Sequence, residues 1–210
     1  MKQIVITLAF LLIPMFEYAQ VIKDLDKVGP SNEGYTAVMK DGKWGFMNAE
    51  GTLVIDFRDD LIVNKKTSKA LDLGVATHRY PSFQDNRCII KQMKNGVNYY
   101  GFINGKGETV IEPIYLNVSN FNNELALALK IDEEELGRND ILDKKIVSYQ
   151  YDVVLLDKEG KVKKYLAGPF PVTISREKLR DAPKIVAKRI SSNTISVKNP
   201  NGKWDIHTLK

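Results

Sequence analysis

The sequence predicts an all-β protein built of tandem β-meander repeats, about three and a half degenerate units stacked or arranged radially, with a short helical segment near the C-terminus. Three observations predict it. The stretch Asp41 to Ile55, DGKWGFMNAEGTLVI, reads as two short strands between glycine-bearing turns. Altered copies of it recur downstream at a near-constant interval. The strand before it alternates, with Tyr35, Ala37 and Met39 on one face and Thr36, Val38 and Lys40 on the other, as a sheet with one covered face requires.

The chain opens differently. Met1-Lys2 gives a positive start, and Ile4 to Met15 is an apolar run broken by Thr7 and Pro14, the build of a secretory signal peptide. The run is shorter than the ~20 residues of a membrane-spanning helix, so no membrane span is expected to be retained. Residues 1–19 are expected to be removed by cleavage between Ala19 and Gln20, a junction similar to that of many exported Gram-negative bacterial proteins, although Glu17 departs from the small-residue rule. Residues 20–210 then form one domain, destined for the periplasm, the cell surface or the medium.

The first unit, about 32–57, comprises GYTAVMK, the turn DGK, the strand WGFMN, the turn AEG and the strand TLVI. In the second, about 84–116, Tyr100-Gly101-Phe102-Ile103-Asn104 lies over Trp44-Gly45-Phe46-Met47-Asn48, and Gly107 over Gly51. The third, about 122–166, aligns Leu155-Leu156-Asp157-Lys158-Glu159-Gly160 with Phe46 to Gly51. A terminal half-unit, 193–210, shows Gly202-Lys203-Trp204, which matches Gly42-Lys43-Trp44. The anchor thus falls at Trp44, Tyr100, Val153 and Trp204, with intervals of 56, 53 and 51. A residue at one slot of every unit is most simply the packing between units. Gly168-Pro169-Phe170-Pro171 breaks the pattern; after it Ser175 is placed to cap a short helix through Arg180 or Asp181, limited by Pro183, and this piece is expected to close one end of the array.

Gly-Lys-Trp-Gly-Phe followed by Asn-x-x-Gly-x-x-Val-Ile, with Glu-Pro-Ile-Tyr in the second copy, resembles the WG (KWG) repeat family. The resemblance implies a bacterial, often exported, β-stranded module that binds or interacts. It implies no catalytic residue set.

Two insertions separate the units: Phe57 to Pro81, with the polar run Asn64 to Lys69, and Ile131 to Ser148, which opens on Asp132-Glu133-Glu134-Glu135. Both read as surface loops, with specificity elements as the alternative. The acidic run lacks the ligand spacing and central glycine of a calcium loop.

Charge and reactive residues narrow the function. Lys and Arg total 31 against 26 Asp and Glu, a net +5 scattered along the chain, which is no nucleic-acid footprint. Cys88 is the single cysteine, expected as a buried thiol with no disulfide. His78 and His207 are the two histidines and form no metal spacing or triad. The expectation is therefore a protein without cofactor, metal site or catalytic residues that binds a protein partner or an envelope polymer, with Tyr99, off the repeated slot, as the tentative ligand contact. The alternatives are a carboxylate-dependent hydrolase of envelope polymers and a structural assembly subunit.

Overall fold

The computed structural model describes residues 22–63, 79–141, 143–179 and 181–209. The junction Ala19/Gln20, the polar run Asn64 to Lys69 and His78 lie outside them. Four antiparallel sheets follow one another along the chain, each a simple meander. The first holds β1 (Lys27–Asn32), β2 (Tyr35–Lys40), β3 (Lys43–Met47) and β4 (Leu53–Arg58); the second β5 (Cys88–Lys94), β6 (Val97–Ile103) and β7 (Thr109–Tyr115). The third holds β8 (Ala126–Asn139), β9 (Lys144–Leu156) and β10 (Val162–Val172), and the fourth β11 (Ala187–Ser191), β12 (Thr194–Lys198) and β13 (Trp204–Thr208). No described helix is long and apolar enough to cross a membrane.

Turn chemistry explains the meanders. Glu33-Gly34, Asp41-Gly42 and Asn95-Gly96 each have two positive φ values, the two-residue turn whose twist matches paired strands. The second turn of every unit is an Asx turn, at Asn48, Asn104, Asp157 and Asn199. In each, the glycine three residues on donates its N–H to the Asx carbonyl, at 3.1, 2.9, 2.9 and 2.9 Å. The Asx side-chain oxygen accepts from the N–H of Thr52, Glu108, Lys161 and Lys203, at 2.8, 3.1, 2.8 and 3.0 Å. These side chains replace ladder bonds that a tight reversal cannot make.

The Asx turns set the true register of the repeat. Four residues before each stand Trp44, Tyr100, Val153 and Ile195, so the intervals are 56, 53 and 42. Trp204 does not hold the anchor slot: Gly202 belongs to the second turn, and Trp204 opens β13 with its side chain 47% exposed. Ile195 is fully buried in its place. The last unit is correspondingly a complete three-stranded sheet and not a half-unit.

The helix expected after Ser175 is absent. Ser175 does cap, its Oγ accepting from Lys178 N at 3.2 Å, and Leu179 N donates to Ser175 O at 2.9 Å, but the chain makes a single turn. One such bond does not offset the nucleation cost, and Pro183 prevents propagation. Ile131 to Ser148 is likewise no loop. β8 and β9 stay paired from Ala126↔Leu156 out to Asn139↔Lys144, so the insertion is a two-stranded ribbon prolonging the third sheet, with Ile141 at its tip 94% exposed.

The Trp-Gly step has a packing cause. Trp44 pairs with Arg58 and Phe46 with Ile55, so β4 bulges opposite Gly45. A Cβ on Gly45 would stand 2.7 Å from the Ile55 carbonyl oxygen, and one on Gly101 would overlap that of Ile111. Glycine is required there for close backbone approach.

Three buried clusters hold the sheets together in series. Trp44, Phe46, Ala37 and Ile55 pack against Cys88, Ile90 and Ile103 of the second sheet. Tyr100, Phe102, Ile111 and Tyr115 pack against Ala126, Ala128, Val154 and Leu156 of the third. Leu127, Leu129, Val153 and Leu155 pack against Ala187, Ile195 and Val197 of the fourth. Residues of β8 and β9 thus alternate between two cores, the period of two expressed as burial on both faces.

Candidate functional site

The joints between sheets are not equivalent, and the difference creates the candidate site. At the first two joints the anchor face of one sheet, carrying Trp44 or Tyr100, meets the opposite face of the next. The Asx turn of the following sheet is also seated on the preceding one. A Cβ on Gly107 would lie 3.4 Å from Ile55, and one on Gly160 3.2 Å from Ile111, the equivalent isoleucine. The Gly107 carbonyl accepts from Arg58 Nη1 at 2.9 Å and that of Gly160 from the Tyr115 hydroxyl at 3.4 Å. At the other edge the turn carboxylates link in a chain. Glu33 accepts from Asp85 N and Asn86 N at 2.7 and 2.8 Å, and Asp85 accepts from Glu124 N at 2.8 Å.

The third joint departs from this. The anchor faces of the third and fourth sheets meet each other, Val153 and Leu155 against Ile195 and Val197, so the last sheet is turned over. Its Asx turn finds no isoleucine seat: a Cβ on Gly202 would meet only Lys198, at 3.8 Å. Without the turn docked, the joint stays open along one side. A hollow of about 190 Å³ lies there, and a second of about 300 Å³, which shares Tyr151 in its lining, adjoins the end of β10 and the segment that follows it.

Tyr151 of β9 and Phe170 of β10 form the floor, paired across the strands with ring centroids 5.2 Å apart and planes 20° from parallel. Both are half-buried against the third cluster, and burial raises the Tyr151 pKa. Val153, Val186 and Pro200 complete the smaller hollow, and Pro171, Val172, Leu179 and Pro183 line the larger. Lys184 and Lys198 border the first and Lys178 the second, with Asp181 the acid on the rim. An apolar floor with a few polar groups at its margin is the usual composition of a recognition groove.

Other features resolve into structure. A cleft of about 440 Å³ between the first two sheets is polar, lined by Asp59, Asp60, Lys91, Gln92 and Glu112. Asp60 is committed to Arg58, which bonds it through Nε and Nη2 at 2.5 and 2.6 Å; that hydrogen bond is the chief cause of the raised Arg58 pKa. On the third sheet Lys130 pairs with Asp132 and lies over the Tyr165 ring at 5.9 Å. Asp152 faces them, its pKa raised by desolvation and then by Asp132. Cys88 is fully buried, and desolvation pushes its thiol up to about 12. Among the described residues no group of three or more His, Cys, Asp or Glu is placed to hold a metal.

Of the residues singled out from sequence, Trp44, Tyr100 and Val153 are buried one per joint, at 7%, 7% and 4% exposure, while Trp204 lies on the outer face of the fourth sheet opposite Lys198. Tyr99 is half-buried against the same cluster that underlies the groove, without lining either hollow. The groove residues Tyr151 and Phe170 were not singled out as a pair. Their signal is the Gly-Pro-Phe-Pro break itself, which interrupts a repeat where two units fail to stack in the common way.

The comparisons with known proteins agree with the repeat. A family model described as WG containing repeat matches residues 20–44 and 100–130, so the chain carries repeats of this type at both places. No curated protein and no solved structure matches the chain.

Proposed function

We propose that this WG-repeat chain is an exported, non-catalytic binding protein whose contact surface is the groove around Tyr151, formed by the hollow between the third and fourth sheets and the one beside the end of β10. The observation that carries the reading is the open third joint, where Tyr151 and Phe170 floor one hollow and Tyr151 borders a second, at the joint where the docking of turn on sheet is broken. The repeats serve as a scaffold, and the partner is a protein or an envelope polymer. The leader-like start supports action in the periplasm or at the cell surface.

Site-specific photo-crosslinking in intact cells tests it. A photoreactive residue at the exposed Pro171 should give a discrete adduct, and one at the exposed Lys43 of β3 should not. Equal adducts from both positions, or none from Pro171, reject the groove. N-terminal sequencing of the mature protein from an envelope fraction should begin at Gln20; a chain retaining Met1 in the cytosol rejects export.

A second reading rests on Asp152, whose carboxyl pKa is raised by desolvation and then by the neighbouring Asp132. In a hydrolase of envelope polymers this pair would supply acid and base. Turnover of peptidoglycan or envelope glycans that is abolished by Asp152→Asn would favour it over pure binding.

A further inference from the structure

We infer that the groove takes an acidic peptide segment bearing apolar side chains, held extended across Tyr151. This rests on the binding reading above and specifies its chemistry. The smaller hollow is mainly apolar, the larger is mixed, and lysines stand at the rim of both. Lys178, Lys184 and Lys198 are exposed around the two hollows; among the described residues the acids there are Asp181 in the lining and Asp205, which is bonded to the rim amide Asn199. Neither Lys178 nor Lys198 is in an ion pair among the described residues. Such an arrangement attracts negative charge to the margin while the floor accepts apolar side chains.

The alternative anionic ligand, an acidic polysaccharide, matches the groove less well. Sugar hydroxyls need several fixed polar side chains around an open aromatic face. Tyr151 and Phe170 cover one another's faces, and Asn199, the amide on the rim, is engaged by Lys203 N and by Asp205. The two hollows, which share Tyr151 in their linings, suit two side chains of one extended segment, since alternate residues of a strand point the same way. β10 is the edge of its sheet, but Pro169 and Pro171 carry no N–H on it, so the segment docks by side chains and not by adding a strand.

The test uses the whole chain and a fluorescein-labelled decapeptide of alternating glutamate and leucine, read by anisotropy, with the glutamine-for-glutamate peptide and polygalacturonate as comparators. The expected result is saturable binding of the acidic peptide that weakens with salt, loses roughly tenfold in the double variant Lys178→Glu/Lys198→Glu, and exceeds that of the glutamine peptide. Both lysines are exposed, so the variant should melt like the parent. Binding unaffected by the charge reversal, or equal binding of the glutamine peptide, overturns the acidic assignment; so does polygalacturonate binding in place of the peptide. Those failures leave the groove itself standing if photo-crosslinks still map to Pro171, whereas loss of that crosslink removes the groove reading whatever the peptide does.

Discussion

Replacing Gly160 with alanine should destabilise the protein more than replacing Gly51, although the two glycines occupy the same place in the same turn. Their φ values are +79° and +80°, so alanine meets the same left-handed backbone cost at both, about 1–2 kcal/mol. Lower entropy of the unfolded chain offsets part of it equally. The environments differ. A Cβ on Gly51 meets nothing within 4 Å, whereas one on Gly160 meets Ile111 Cγ1, Cγ2 and Cδ1 at 3.2, 3.3 and 3.5 Å. Ile111 is buried in the second core and has little room to turn away, so overpacking adds about 1–3 kcal/mol. Gly107, with φ +81° and its nearest contact at 3.4 Å, should resemble Gly51. Urea unfolding gives the comparison, with the midpoint falling and the slope unchanged if only native packing is altered. Equal losses for Gly51→Ala and Gly160→Ala would refute the docking of each turn on the preceding sheet.

The repeat register yields a second contrast. Trp44→Ala should cost about 3–5 kcal/mol, while Trp204→Ala should stay within about 0.5 kcal/mol in the same unfolding assay. Burial of Cys88 predicts a loss of stability in alkali. Its folded pKa of about 12 lies above the ordinary thiol value of 9.0, so its contribution is full below 9.0 and is lost as pH rises towards 12. The unfolding free energy should fall by about 1.4 kcal/mol per pH unit in that window, and less steeply in Cys88→Ala. The raised pKa values of Tyr100, Tyr115 and Tyr151 act with the same sign. Glu33→Gln weakens two charge-assisted bonds to the turn at Asp85 and Asn86; amide exchange at those two positions should accelerate while the remote Leu155 is unchanged.

Strands and turns were legible because their determinants are local. Asp-Gly and Asn-x-x-Gly specify backbone that few other residues adopt, and the slot they mark holds the buried Trp44, Tyr100 and Val153. The same shortness misled at the end of the chain, since Gly-Lys-Trp suits either turn of a unit. Only Asn199, three residues before Gly202, shows that the second turn is meant. Ser175 is a true cap, but a cap does not make a helix when proline closes the segment within two turns. The turned-over fourth sheet was not legible, because the alternation in β12 marks Ile195 and Val197 as the covered face without saying which face of which sheet covers them. What decides is the long-range fit of Ile195 and Val197 on Val153 and Leu155. The groove follows from that choice and was hidden with it.

The most direct measurement of the central claim is a hydrogen-exchange footprint of the full chain with and without the glutamate-leucine peptide. Protection should concentrate in 170–173 and 183–186, with the 198–202 turn joining them, because these segments line the hollows beside Tyr151. The polar cleft at 109–113 should be unchanged. Protection at that cleft or at the β8–β9 ribbon, with none at the third joint, would contradict the account.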